Sequence, residues 1–183
     1  MKVTTFLTEG FETVEALAVV DVLRRAGVTV DLVSVTDKRQ IKSAQGITVL
    51  AEYTFDEYNM KEADAVFLPG GPGHVHYEEN KELIENIKEF ADNNKYVAAI
   101  CAAPSILGRA GILNGKRATC FPGFESDLKG ATLADVTERV VVDGNIITSR
   151  GMGTSIDLGL ELVRVLVGNE KADELAVNTQ YVL

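Results

Sequence analysis

Residues 95–111, KYVAAICAAPSILGRAG, join an apolar run to a segment typical of a helix. The run Tyr96–Ile100 is short and apolar enough for a strand that is buried on both faces. Pro104 favours the first turn of a helix, where its missing N–H costs little, and Gly111 is typical of a helix end. Cys101 is therefore predicted to lie on a sharp strand-to-helix turn.

The position of Cys101 resembles a nucleophile elbow. Small residues, Ala99 and Ala103, stand two residues away on each side, where the G-x-S-x-G elbow uses glycine to relieve crowding. A thiol beside the N-terminus of a helix is expected to have a pKa below its ordinary value. A buried structural cysteine is the alternative, and the local sequence does not decide between the two.

The remaining chain alternates strand and helix patterns. Strands are predicted at 2–7, 28–35, 64–68 and 118–121, with hairpins over 41–53 and 136–149, and helices at about 14–26, 83–90 and 154–167. Repeated βα units with buried strands predict an α/β fold, in which helices cover both faces of a mostly parallel sheet. The chain shows no linker, internal repeat or low-complexity tract, so we expect one domain over residues 1–183.

Composition excludes several functional classes. The chain has 18 basic and 27 acidic residues and a net charge of −9, which argues against nucleic acid or an anionic membrane as a partner. No segment approaches the roughly 20 apolar residues of a membrane span, and the N-terminus lacks signal-peptide features, so a cytoplasmic location is expected. Cys101 and Cys120 give neither a disulfide framework nor a metal-ligand pattern, and Cys120 is expected in the core.

Three groups of residues follow predicted parallel strands, at whose carboxyl ends ligands bind in open α/β sheets. One is Cys101, and another is the glycine loop with Gly70 and Gly71, whose amides could form an oxyanion hole with that of Ala102. Acidic residues follow the first strand: Glu9, Glu12 and Glu15. Taken separately, the loop is a flexible turn and each glutamate is a favourable partner of a helix dipole.

Four motifs together, EGFETVEA, FLPGG, AAICAAPSILGRAG and ITSRGMGTSIDLGLELV, resemble the ThiJ/PfpI superfamily. Within it the chain is most similar to the branch of the parkinsonism-associated protein deglycase. The resemblance spans nearly the whole chain. It implies a flavodoxin-like (class I glutamine amidotransferase-like) three-layer α/β/α sandwich, a homodimer, and no metal or organic cofactor.

The resemblance also implies roles for individual residues. Cys101 matches the reactive cysteine, and Glu15 matches the glutamate that hydrogen-bonds its sulfur. Gly70, Gly71 and Ala102 match the oxyanion-binding positions. The implied activity is glutathione-independent turnover of 2-oxoaldehydes such as methylglyoxal, or repair of glycated amines. The alternative is a redox-sensing, oxidative-stress protein that acts through oxidation of Cys101, with chaperone activity.

Some positions depart from the family pattern or are secondary to it. Arg25 and Arg150 match arginines near the site or the dimer interface. The peptidase and chaperone branches carry a histidine directly after the cysteine, where this chain has Ala102. The deglycase branch carries one in the strand after the elbow helix, where this chain has Phe121. His74 and His76 form an H-x-H pair, but without a third metal ligand in view we expect exposed loop histidines.

The first predicted helix carries apolar residues around more of its circumference than one buried face requires. These residues are Val14, Leu17, Ala18, Val19, Val20 and Val22. The excess is expected to pack against the same helix of a second copy, as the family resemblance implies. A helix buried on two sides within one domain is the alternative.

Overall fold

The computed structural model describes residues 1–181, and a sheet with helices on both faces forms its centre. In chain order the strands are β1 (Lys2–Leu7), β2 (Thr29–Ser34), β3 (Gln40–Lys42), β4 (Thr48–Leu50), β5 (Tyr53–Thr54), β6 (Ala65–Leu68), β7 (Tyr96–Ile100), β8 (Arg117–Ala118), β9 (Thr132–Leu133), β10 (Val140–Asp143) and β11 (Ile146–Ser149). The α-helices are α1 (Thr13–Arg25), α2 (Lys81–Asp92), α3 (Pro104–Arg109), α4 (Ser155–Leu166) and α5 (Asn169–Asn178).

The main sheet has seven strands in the order β10-β11-β7-β6-β1-β2-β5. Its strands pair in parallel, apart from the antiparallel β10–β11 hairpin. Because β1, β6, β7 and β11 are neighbours, the residues that follow them meet at one edge of the sheet. This edge carries the candidate site.

Successive side chains along each strand point to opposite faces of the sheet and pack into two apolar layers. Phe67 and Ile100 point to a layer that α1, α4 and α5 cover, whereas Val66 and Leu68 point to one that α2 and α3 cover. Truncating a fully buried leucine such as Leu162 to alanine would cost about 2–5 kcal/mol of folding stability. The predicted three-layer α/β/α architecture is confirmed.

Most predicted elements are observed, with three differences. The strand predicted at 118–121 is confined to Arg117–Ala118, because a turn begins at Phe121. The second hairpin begins only at Val140. Helix α5 was not predicted, since its buried side consists of Ala172, Leu175 and Ala176 and gives a weak apolar period.

Within residues 1–181, no helix combines the length and apolar character that a membrane crossing requires.

Candidate functional site

Cys101 stands between β7 and α3 with a backbone φ of +64°. A side chain other than glycine rarely adopts this left-handed conformation, which stores on the order of 1–3 kcal/mol of strain. Two backbone hydrogen bonds hold it: the Cys101 amide donates to the Ser149 carbonyl at 3.0 Å, and its carbonyl accepts from the Phe121 amide at 2.8 Å. The predicted elbow is present, and both neighbouring segments fix it.

Glu15 projects from the first turn of α1 into the same place. Its side chain is buried and its Oε2 accepts a hydrogen bond from the Gly70 amide at 2.9 Å. The carboxyl and the Cys101 side chain both lie against Gly70, so the two groups interact. Glu12 caps the helix, since its Oε2 accepts from the Glu15 amide at 2.7 Å. Glu9 is exposed and accepts from the Lys42 amide, so of the three acidic residues Glu15 pairs with the cysteine.

The glycine loop packs closely against this pair. A β-carbon on Gly70 would stand 2.6 Å from the Cys101 β-carbon, so only glycine fits there. The Gly71 and Ala102 amides act on the Cys101 sulfur as hydrogen-bond donors and lower its pKa. Glu15 occupies the Gly70 amide, so of the three predicted oxyanion donors the Gly71 and Ala102 amides are left.

The electrostatics of the pair differ from the sequence prediction. Burial raises the pKa of Glu15 to about 7, although its hydrogen bonds to Cys101 and Gly70 act in the opposite direction. Burial and the neighbouring Glu15 charge raise the pKa of Cys101 to about 12. The predicted lowering of the thiol pKa is therefore wrong. Helix α3 has only six residues and a correspondingly small dipole, which does not offset burial beside a carboxylate.

Phe121 occupies the side of the site that faces β11. A β-carbon added to Gly151 would stand 3.3 Å from the ring carbon Cδ2 of Phe121. The same point is 3.9 Å from Glu15 Oε1, so the ring and the carboxyl border the same glycine. Neither the ring of Phe121 nor Gly151 was assigned a role from the sequence, although Gly151 belongs to a quoted motif. The ring gives this side of the site an apolar surface.

Buried Tyr77 was also missed, and it anchors the glycine loop. Its hydroxyl, which lies near the Phe6 carbonyl at 3.0 Å and the Pro69 carbonyl at 3.1 Å, ties the loop to β1. This aromatic residue lies four positions before α2 and carried no motif signal, so only the tertiary structure locates it.

The two loop histidines differ from the expectation of exposed side chains. His74 is buried, with Nδ1 2.9 Å from the Gly71 carbonyl, and its ring meets that of Phe124 edge-on. His76 is half-exposed and contacts Glu79. Among residues 1–181, no three His, Cys, Asp or Glu side chains are grouped as a metal site would require.

The remaining sequence candidates lie at different distances from the pair. Cys120 is buried, as expected, and burial raises its pKa to about 11. Arg150 follows β11 directly and its charge acts on Cys120. Arg25 pairs with Asp21 at 2.7 Å and lies about 15 Å along the helix from Glu15, so it is outside the site of its own chain.

Comparison with known proteins identifies the family of the chain. The profile of the DJ-1/PfpI family matches residues 1–165. The chain belongs to the DJ-1/PfpI family. Protein DJ-1 homolog A of Arabidopsis thaliana is 37% identical over 172 residues, which are 93% of this chain and 44% of that protein. The chain thus spans less than half of that relative's length.

Two further proteins match over nearly their whole length. A Pyrococcus abyssi protein named as a deglycase is 36% identical over 166 residues, which cover 91% of this chain and 99% of that protein. The solved structure of oxidized DJ-1 from Toxoplasma gondii has a TM-score of 0.94 at 30% identity, with 100% and 99% of the two chains covered. The family resemblance drawn from the four motifs is confirmed.

Proposed function

We propose that this chain is a cysteine-dependent enzyme that acts, without glutathione or a cofactor, on 2-oxoaldehydes such as methylglyoxal and on the adducts they form with amines. The observation that carries the proposal is that the Cys101 side chain and the buried Glu15 carboxyl both lie against Gly70, with the Gly71 and Ala102 amides near the sulfur. The name of the Pyrococcus abyssi relative supports the deglycase part.

Glu15 supplies the proton transfer that a thiol with a raised pKa needs. With pKa values of about 7 and about 12, the pair holds one proton at neutral to moderately alkaline pH. Glu15 therefore takes the proton as the sulfur attacks, and no free thiolate has to exist beforehand. A carboxyl whose pKa lies near neutral pH is well matched to general acid–base work.

The first step forms a bond between the Cys101 sulfur and the aldehyde carbon. The carbonyl π electrons move to oxygen, which receives the thiol proton through Glu15, and a hemithioacetal results. The Gly71 and Ala102 amides stabilise the developing negative charge. Glu15 then removes the proton from the former aldehyde carbon while the ketone oxygen gains a proton, which gives an enediol. Glu15 returns a proton to the neighbouring carbon as the hydroxyl on the sulfur-bearing carbon loses its proton and becomes the thioester carbonyl. Water cleaves the resulting thioester, which releases a 2-hydroxy acid and regenerates the thiol.

A glycated amine reaches the same hemithioacetal through a different first step. In a carbinolamine, the sulfur displaces the nitrogen, which leaves as a free amine with the proton that Glu15 took from the thiol. The product is the same hemithioacetal, so both activities share their later steps. Each consumes one water and requires no oxidant or reductant.

The two cysteines provide a matched test. We expect wild type to form 2-hydroxy acid from methylglyoxal and to release free amine from its carbinolamine, both without glutathione. Cys101→Ser should abolish both reactions, whereas Cys120→Ser should retain them at a modest cost in stability. Wild-type protein that forms neither product faster than buffer, or a Cys120→Ser variant that is folded but inactive, would contradict the proposal.

Redox sensing through Cys101 is the second candidate. Its support is the set of donors at the sulfur, the Gly71 and Ala102 amides and a protonated Glu15, which could hold the oxygens of a sulfinate. The raised thiol pKa acts against it, because peroxide reacts with the thiolate. Selective oxidation of Cys101 by peroxide, in a protein that turns over no oxoaldehyde, would favour this function.

A further inference from the structure

The segment between β8 and β9 places an aromatic ring beside the reactive pair. Phe121, Pro122, Gly123 and Phe124 form a tight turn, in which the Phe124 amide donates to the Phe121 carbonyl at 3.2 Å. Proline and a glycine with φ of +100° occupy the two central positions, as a type II turn requires. The turn is therefore rigid by its own sequence.

Contacts at both ends fix this turn to the site. The Phe121 amide donates to the Cys101 carbonyl at 2.8 Å, so the base of the ring is tied to the elbow itself. At the other end, the Phe124 ring packs edge-on against His74 with centroids 5.3 Å apart. Since His74 contacts the Gly71 carbonyl, the turn bridges the cysteine elbow and the glycine loop.

The Phe121 ring is nevertheless half open to solvent. It is 46% exposed, although it packs over Gly151 close to the Glu15 carboxyl. An apolar ring that is rigidly placed at a polar site, and left partly uncovered there, provides a surface for an apolar group of a bound molecule.

We infer that Phe121 is a specificity-determining residue, which binds the carbon substituent of the substrate and selects apolar, above all aromatic, 2-oxoaldehydes. This inference rests on the proposed function. The aldehyde carbon must reach the Cys101 sulfur and its proton must reach Glu15, so the substituent of the oxoaldehyde extends toward the neighbouring ring. Phenylglyoxal presents a phenyl group there, whereas methylglyoxal presents only a methyl group.

The test compares the kcat/KM of phenylglyoxal with that of methylglyoxal. Aromatic contacts of this kind correspond to about 2- to 10-fold in rate or affinity. We expect wild type to prefer phenylglyoxal and the ratio to fall by about 2- to 10-fold in Phe121→Ala and in Phe121→Leu, which retains apolar volume. Tyr53→Ala is the matched control, because Tyr53 is a partly exposed aromatic on the distant edge strand β5. Its ratio should equal that of wild type.

A second readout separates this inference from the proposed function. Cys101 is alkylated by N-benzyl iodoacetamide and by iodoacetamide, and the labelled peptide is identified by mass. The alkylation ratio is the rate with the benzyl reagent divided by the rate with iodoacetamide. It should fall in both Phe121 variants, whether or not the protein turns over an oxoaldehyde. The role of Phe121 would be overturned if the Phe121 variants turned over both oxoaldehydes with the same ratio of kcat/KM as wild type. It would also be overturned if their alkylation ratio equalled that of wild type. If wild type turned over no oxoaldehyde but its alkylation ratio still depended on Phe121, only the enzyme proposal would be overturned.

Discussion

The Gly70 amide donates to Glu15 Oε2 at 2.9 Å, while the α-carbon of the same glycine faces the Cys101 side chain. An added β-carbon would stand 2.8 Å from Glu15 Oε2 and 2.6 Å from the Cys101 β-carbon. We therefore expect Gly70→Ala to force the two reactive groups apart. It should lower oxoaldehyde turnover at least about 10-fold and cost about 1–3 kcal/mol of stability, as overpacking does.

Gly153→Ala is the control for that substitution. Within residues 1–181, no atom lies within 4 Å of the position its β-carbon would take, apart from its chain neighbours. The oxoaldehyde turnover rate and the thermal unfolding temperature of the two variants are compared with those of wild type. Equal effects of the two substitutions, or a fully active Gly70→Ala protein, would show that the close contact is not needed.

The Cys101 thiol pKa should respond to Glu15. Burial raises this pKa first, and the Glu15 charge and hydrogen bond raise it further to about 12. Glu15→Gln removes the charge and leaves burial in place, so the thiol pKa should fall. Thiolate absorbance measured against pH in a Cys120→Ala background reports Cys101 alone. A pKa equal to or above that of wild type would contradict the electrostatic account.

Stability should depend on pH through Glu15. Its pKa is raised from 4.5 to about 7 in the folded chain. A carboxyl with a raised folded pKa contributes its stability below the unfolded pKa and loses it as pH rises through the folded value. Relative to Glu15→Gln, wild type should lose on the order of 3 kcal/mol between about pH 4.5 and pH 7, at 1.36 kcal/mol per pKa unit.

Urea unfolding of the two proteins across this pH interval measures that difference directly. Because the Cys101 pKa lies far above the interval, it does not contribute. A free-energy difference that is constant with pH, or one that changes in the opposite direction, would show that Glu15 is not destabilised in its charged form.

Assembly can be tested on α1. Helix α4 covers part of the apolar circumference of α1, where Gly159 approaches Val22. Val14 remains 44% exposed and Leu17 is half-buried. We expect these residues to pack against a second copy, so light scattering at micromolar concentration should give about twice the chain mass of 19.8 kDa, and Leu17→Glu should give monomers. Wild-type particles of only the single-chain mass would contradict the dimer.

The sequence predicted those features that local patterns determine. The strand Tyr96–Ile100, the turn at Cys101 and the proline at the start of α3 follow from apolar runs and backbone chemistry. The meeting of Glu15 with Cys101 followed from the rule that parallel strands end at one sheet edge, together with the family resemblance.

Features that depend on tertiary packing could not be predicted in this way. The thiol pKa depends on the depth of burial, and the short α3 could not offset it. The burial of His74 depends on its contact with Gly71 and Phe124. The Phe121 turn carried a Pro-Gly signal, but its position over Gly151 results from the fold rather than from local sequence.

The central claim is that the Glu15 carboxyl moves the substrate proton for a cysteine that is held beside it. Glu15→Gln keeps the size and hydrogen bonding of the side chain but cannot exchange a proton with carbon. General acid–base groups typically contribute about 10²–10⁴-fold in rate. The decisive measurement is therefore the rate of 2-hydroxy acid formation from methylglyoxal by Glu15→Gln, without glutathione. We predict a loss of at least about 100-fold, with Cys101 still alkylated by iodoacetamide. A rate near that of wild type would contradict the mechanism.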